Sequence, residues 1–204
     1  MTLGELESVY QKIIKDFEEG EYSPLDVLHR QIESGVQEGL IFCEDETDVG
    51  YAICAANNET GYLLLSLMAI NKECRGRKIG GELLIQLRDY FADKNGIIVE
   101  VERPQDAQNQ SEKKVRESRI GFYERVGFRF VNGINYVIWD VPMHLMIWDF
   151  EVFENEHKNN DAKNEYSAIA DAERVVRLIY EIYFTIMGPR HIHKLEVSIS
   201  SDML

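Results

Sequence analysis

Several things are scarce in this chain, and each shortage excludes a class of protein. Only three cysteines, Cys43, Cys54 and Cys74, occur in 204 residues. An odd, sparse set cannot build a disulfide framework, so a small stapled scaffold is excluded. No run of about 18 uninterrupted apolar residues occurs, so no membrane-spanning helix and no membrane partner are expected. Cations are in deficit: 22 Lys and Arg stand against 36 Asp and Glu, a formal charge of −14. Binding nucleic acid needs clustered cations to neutralise phosphates, so no such partner is expected. The stretch Met1–Glu7 lacks the basic and apolar regions of a signal peptide, and the expected location is the cytoplasm. Repeats and low-complexity tracts are absent too.

What is present fits one mixed domain. Hydrophobic residues make up 45% of the chain, enough for a sizeable core at this length. Leu6, Tyr10, Ile13, Ile14 and Phe17 form a helical stripe. Ser23-Pro24 reads as an N-cap and first-turn proline opening a helix to about Glu33. Gly39–Cys43 and Gly50–Ala56 read as strands around the acidic turn Glu44–Asp48, and Asn57–Gly61 is a second turn. Tyr62–Ile70 is an apolar strand, followed after a glycine-rich turn by a helix to about Lys94. Ile97–Glu102 is a strand, Arg103–Glu117 a polar loop that becomes helical, and Arg119–Val126 a short helix closed by Gly127. Phe128–Val131 and Tyr136–Asp149 read as strands, the second interrupted at Pro142. A polar linker, Glu154–Lys163, precedes a helix striped by Ile169, Ala172, Val175, Val176, Ile179, Ile182, Tyr183 and Ile186. Gly188-Pro189 ends that helix, and Leu195–Ile199 adds a short strand. A strand–helix–strand unit from Tyr62 to Glu102 implies a parallel pair inside a mixed sheet.

The chemistry concentrates at Arg75-Gly76-Arg77-Lys78-Ile79-Gly80-Gly81. Three glycines and three cations stand between a strand and a helix start, in a chain of opposite net charge. Glycines admit close backbone approach, and first-turn amides are unpaired donors at the positive end of the helix dipole. That combination binds anions, phosphates above all. A P-loop is excluded, because Gly81 is followed by Glu82 rather than Lys-Ser/Thr. A dinucleotide fingerprint is excluded because Gly76 lacks a partner glycine at position 78. By spacing alone the segment is a tight turn with a basic rim.

A second segment, Arg119-Ile120-Gly121-Phe122-Tyr123-Glu124-Arg125-Val126-Gly127-Phe128, lies some forty residues on. Together, Leu67–Ile70 with Arg75–Gly81 and this Phe-Tyr…Gly-Phe segment resemble the two signatures of the GNAT superfamily of N-acetyltransferases, in order and separation. Arg75, Ile79 and Gly80 fall in register with the acetyl-CoA signature Arg/Gln-x-x-Gly-x-Gly/Ala, whereas Lys78 replaces its first glycine. The resemblance covers roughly Tyr62 to Phe130. It implies a mixed, mostly antiparallel central sheet with one parallel pair and flanking helices. It also implies a domain over 1–150 and a C-terminal extension over 151–204, packed on that domain or forming a homodimer contact.

The resemblance further implies that acetyl-CoA is the cosubstrate. Backbone amides of Arg75, Gly76, Arg77, Lys78, Ile79, Gly80 and Gly81 would cradle its pyrophosphate. The backbone of Met68, Ala69 and Ile70 would pair with the pantetheine arm. Tyr123, protonated at neutral pH because a phenol titrates near pH 10, would be the general acid toward the departing sulfur. A general base is open between Glu100, Glu102 and none. The two carboxylates alternate with Val99 and Val101 and so share one sheet face, with Glu102 also able to pair with Arg103. The acceptor would be a primary amine of a small molecule or peptide, and the acidic surface favours a cationic one. An acyl-CoA-binding sensor or interaction module without activity is the alternative. No metal is expected: His191 and His193 have the spacing of a strand pair, but a third ligand is lacking.

Overall fold

A computed structural model describes residues 1–56, 59–150 and 165–200. Part of the Asn57–Gly61 turn and all of the Glu154–Lys163 linker lie outside the described residues. Helix α1 (Leu3–Asp16) opens with a reciprocal cap, in which the Thr2 hydroxyl accepts from the Glu5 amide and the Glu5 carboxylate from the Thr2 amide. Leu6, Val9 and Ile13 are its buried stripe, whereas Ile14 is 45% exposed. Helix α2 (Leu25–Glu33) starts one residue later than the sequence indicates. Pro24 itself occupies the cap position in extended conformation, and its carbonyl takes the Val27 and Leu28 amides.

Strands β1 (Glu38–Glu44) and β2 (Thr47–Ala55) form a hairpin closed by Asp45 and Glu46, both left-handed at φ 48° and 63°. β2 pairs antiparallel with β3 (Tyr62–Ile70), which leads through helix α3 (Ile79–Tyr90) to the parallel strand β4 (Gly96–Glu102). Helix α4 (Gln110–Val126) follows, then β5 (Arg129–Phe130), β6 (Ile134–Ile138) and β7 (Val141–Asp149). Helix α5 (Glu165–His191) breaks from helical geometry at Gly188, and β8 (Leu195–Ile199) ends the described chain. The sheet runs β1-β2-β3-β4-β7-β6-β8, with β5 also paired to β7. Its only parallel pair among the described residues is β3–β4.

Two sequence expectations need correction. Helix α4 begins at Gln110, not Arg119, and absorbs much of the polar segment. Its start is held by the Asn109 side chain, which accepts from the Glu112 amide, and by the Arg116–Glu112 pair one turn apart. Such a polar surface carries little apolar period to betray it. The Tyr136–Asp149 stretch is not one strand broken at Pro142. It is a hairpin turning at Trp139 and Asp140, with φ of 50° and 66°, while Pro142 pairs with Val137 inside β7.

The sheet buries apolar residues on both faces. On one, Leu63, Val99 and Val101 pack with Leu83, Leu84 and Leu87 of α3 and Ile120 of α4. On the other, Tyr51, Ile53 and Leu67 meet α1 and α2, while Leu64, Ile98, Tyr136 and Leu145 meet Val175, Ile179, Ile182 and Tyr183 of α5. Helix α5 is further tied down by charge. The buried Asp149 carboxylate accepts from the Tyr62 hydroxyl at 2.7 Å, Arg174 at 3.0 Å and Arg129 at 2.9 Å. Asp171 bridges the same two arginines.

Candidate active site

The parallel pair comes apart early. Its ladder runs Tyr62↔Gly96, Leu63↔Ile97, Leu64↔Ile98 and stops, although β3 continues to Ile70 and β4 to Glu102. Immediately beyond, β3 bulges. Cys54 faces Leu65 and Ile53 faces Leu67, so Ser66 is the extra residue. The bulge inverts the strand's alternation. Leu65 lies on the α3/α4 side and Leu67 on the α1/α2 side, with Met68 and Ile70 returned to the α3/α4 side. From Leu65 onward the β4-facing edge of β3 has no strand partner among the described residues. Unpaired strand edge is a row of donors and acceptors ready for an extended amide-bearing ligand. The Ser66 hydroxyl is buried here with no hydrogen-bond partner among the described residues, a polar orphan at the opening.

Beyond β3, the turn 75–81 presents its backbone. The Gly76, Arg77 and Lys78 amides donate to no backbone acceptor among the described residues, and α3 adds its unpaired first-turn amides from Ile79. The chain achieves this with left-handed residues at Gly76 (φ 80°) and Lys78 (φ 64°). Lys78, where the resemblance has glycine, therefore keeps the glycine conformation at a cost of about 1 kcal/mol. Lys78→Gly should raise stability by about that amount, measured by chemical denaturation. Two of the three cations are already engaged. Arg75 pairs with Asp16 and donates from Nε to the Ile70 carbonyl at 2.9 Å, and Arg77 pairs with Glu44 at 2.6 Å. Arg75 thus fastens the end of β3 to α1, and Lys78 is the cation of the turn without a side-chain partner among the described residues.

Gly80 is where the parts converge. A Cβ there would lie 3.1 Å from the Phe122 ring and 3.9 Å from Ile70, so its absence lets α3 close on α4 and on the end of β3. Tyr123, next to Phe122, is half-buried with its ring centroid 5.1 Å from those of Phe122 and Phe128. Its hydroxyl has no hydrogen-bond partner among the described residues. Burial raises its pKa, opposed by the charge of Arg119, so the phenol holds its proton at neutral pH. Turn, open strand edge and phenol all lie in or against the cluster between the sheet and α3/α4.

Glu100 is not on that side. It stands on β4, two residues past the end of the ladder, facing the α5 layer of the sheet. Tyr136 of β6 and Tyr183 of α5 both donate to its Oε1, the latter at 2.7 Å. Oε2 accepts no hydrogen bond among the described residues, and no cation pairs with this carboxylate there. Burial raises its pKa, against the lowering effect of the two phenol hydrogen bonds. Glu102 differs, being held by Arg116 and Arg119 of α4. The expected Glu102–Arg103 pair does not form, because Arg103 donates to the Met143 and Tyr136 carbonyls. Glu100 and Tyr123 therefore lie on opposite faces of the sheet. Sequence reasoning missed Tyr136, Tyr183 and Ser66. The available signals were two tyrosines in apolar contexts, whose hydroxyls need partners when buried, and one serine inside an apolar run. Among the described residues no group of three or more metal-ligating side chains assembles.

Residues 37–130 match the family model of the acetyltransferase (GNAT) domain. Comparison with curated proteins gives no match. Among solved structures, a protein assigned to the GNAT family of acetyltransferases, from Bacteroides thetaiotaomicron, superposes with a TM-score of 0.65 at 21% identity. That alignment covers 92% of this chain and 96% of that one. The dodecameric spermidine N-acetyltransferase of Vibrio cholerae superposes with a TM-score of 0.57 at 12% identity, over 78% of this chain and 95% of that one. Both likenesses are of fold.

Proposed function

We propose that this protein, whose residues 37–130 match the family model of the acetyltransferase (GNAT) domain, transfers the acetyl group of acetyl-CoA to a primary amine by direct attack in a ternary complex. The observation that carries the reading is the meeting at Gly80 of an amide-lined turn, the end of an unpaired strand edge and Phe122, whose neighbour Tyr123 has a phenol without a hydrogen-bond partner among the described residues. The residues fit the cosubstrate part by part. Amides from Gly76 to Gly81 hold the pyrophosphate. Backbone of Met68 and Ala69 pairs with the pantetheine amides, while the Ile70 carbonyl is already taken by Arg75. Acetyl-CoA supplies the activated thioester. Tyr123 returns a proton to the sulfur that leaves, and Oε2 of Glu100 takes one from the amine that attacks. Their placement on opposite faces suits a displacement in which nucleophile and leaving group separate across the opening. The protein works in the cytoplasm in this account.

The acceptor is a small amine that arrives as a cation. Every other buried or half-buried carboxylate described above pairs with arginine, whereas Glu100 has only neutral donors. A substrate ammonium completes it and gives up one proton there; the second proton that nitrogen loses as the amide forms replaces the one Tyr123 gives to sulfur. Spermidine, the substrate named for the Vibrio cholerae neighbour, has this chemistry and is the first acceptor to assay.

The test is acetyl transfer to a panel of primary amines that includes spermidine, followed by thiol release. Glu100→Gln should lower kcat by about 100-fold. Equal turnover in that variant would remove Glu100 from the reaction, and no turnover with any amine would remove the reading itself. The same variant should gain stability with rising pH relative to the wild type. Burial raises the folded-state pKa of Glu100, so its cost is absent below the ordinary glutamate pKa and grows as pH rises through the window above it.

A further inference from the structure

We infer that the C-terminal helix α5 is part of the catalytic machinery, with Tyr183 as the positioning residue that orients Glu100 and leaves its Oε2 free to accept the amine's proton. The inference rests on the reading of Glu100 as general base and goes beyond it, since α5 lies outside residues 37–130 and outside both sequence signatures.

The geometry is specific. A carboxylate has two oxygens with about four acceptor sites. Both phenols converge on Oε1 alone, Tyr136 from β6 and Tyr183 from α5. One oxygen is thereby fixed, and the other accepts no hydrogen bond among the described residues. Elements packed against Glu100 bring no charge to it: Leu145 is its partner on β7, Tyr136 stands on β6, and Tyr183 on α5. Neutral donors steady the charged form without neutralising it, so the oxygen keeps its affinity for a proton. An arginine in the same place would suppress that affinity, as Arg129 and Arg174 do at Asp149.

The helix is built to hold this contact. Tyr183 is buried on the same stripe as Val175, Ile179 and Ile182. The stripe is pinned upstream by Arg174 and Asp171, which join Asp149, Tyr62 and Arg129. Purely structural packing would be satisfied by phenylalanine at 183. The hydroxyl serves the bond to Glu100, beside the Tyr136 phenol that bonds the same oxygen.

The test uses the full chain with Tyr183→Phe. Protein labelled with ¹³C at the glutamate carboxyl is titrated by NMR, and Glu100 is assigned by its loss in Glu100→Gln. Removing one donor to the charged form should move the Glu100 midpoint up by about one pH unit. The acidic limb of kcat/KM for acetyl transfer to spermidine should move up by the same amount, with the rate largely recovered at high pH. An unchanged midpoint, or a uniform loss of rate at every pH, would make Tyr183 structural and overturn the inference. If Glu100→Gln turns over like the wild type, the base reading has failed first, and the inference falls with it. Should Tyr183→Phe fold poorly, 3-fluorotyrosine at 183, a stronger donor of nearly the same shape, should move the midpoint down; no movement is the contrary result.

Discussion

Tyr123→Phe is expected to lower kcat by about 100-fold and to leave acetyl-CoA affinity unchanged within a factor of two. The hydroxyl makes no hydrogen bond among the described residues, so its removal frees no buried partner. The ring keeps its contacts with Phe122 and Phe128, so the aromatic packing beneath Gly80 survives. In the proposed reaction, what is lost is one proton, given to the sulfur as the carbon–sulfur bond breaks. An interaction made only in the transition state lowers kcat and kcat/KM together, and steady-state kinetics over acetyl-CoA concentration reads both. A rise in KM with kcat unchanged would instead make Tyr123 a binding residue. Retained acetyl-CoA binding also separates an enzyme from a sensor: only the enzyme responds to loss of the phenol.

The largest effect on stability is expected from Asp149→Ala. Its side chain is 7% exposed, and its removal takes one of two carboxylates from Arg174 and Arg129, which keep Asp171, and takes the acceptor of the Tyr62 hydroxyl. Breaking one side of a buried ion pair costs about 3–5 kcal/mol. The arginines retain 32% and 45% exposure, so water rescues part of the loss. The lower end, about 3 kcal/mol, is therefore expected. In a domain of this size that lowers Tm by roughly 6–12 °C. The effect depends on pH in a defined direction. Burial would raise the Asp149 pKa, but hydrogen bonds from Arg174 and Tyr62 and the charge of Arg174 outweigh it and hold the pKa below the ordinary aspartate value. The clamp therefore contributes fully above that value and fades as pH falls through the folded-state pKa. Thermal unfolding of wild type and variant should converge in acid. Parallel curves at all pH values would show that Asp149 carries no coupled charge.

Much of this was legible because the relevant signals are local. The turn 75–81 announces itself by three glycines and three cations, and the parallel pair follows from one apolar strand, one amphipathic helix and a second strand. Gly127 ends α4 in a left-handed conformation, as its position after Val126 indicates. The hidden parts are hidden for physical reasons. Hairpin turns with two left-handed residues normally use Asn and Gly, so Trp139-Asp140 gives no warning. The start of α4 is stabilised by caps and ion pairs rather than an apolar stripe. The Ser66 bulge follows from pairing with β2, which no single segment encodes. Tyr183 reads as one more member of a stripe, because its hydroxyl bonds Glu100, 83 residues away.

Lys78 shows a local departure and its reason together. The resemblance has glycine there, the backbone is left-handed at φ 64°, and lysine adopts it. The turn keeps its amides without backbone acceptors among the described residues at an energetic cost that glycine would avoid, and gains a cation free of ion pairs among the described residues. Stability and acetyl-CoA affinity of Lys78→Gly separate these two consequences: the first rises, and the second falls only to the extent that the ammonium meets a phosphate.

In the proposed function the turn 75–81 and the opening between β3 and β4 together bind acetyl-CoA. Thermal unfolding with and without acetyl-CoA measures that binding. Ligand at about a hundred times its Kd should stabilise the folded chain by about 2.7 kcal/mol, a Tm rise of several degrees. An unchanged Tm at millimolar acetyl-CoA would contradict the account.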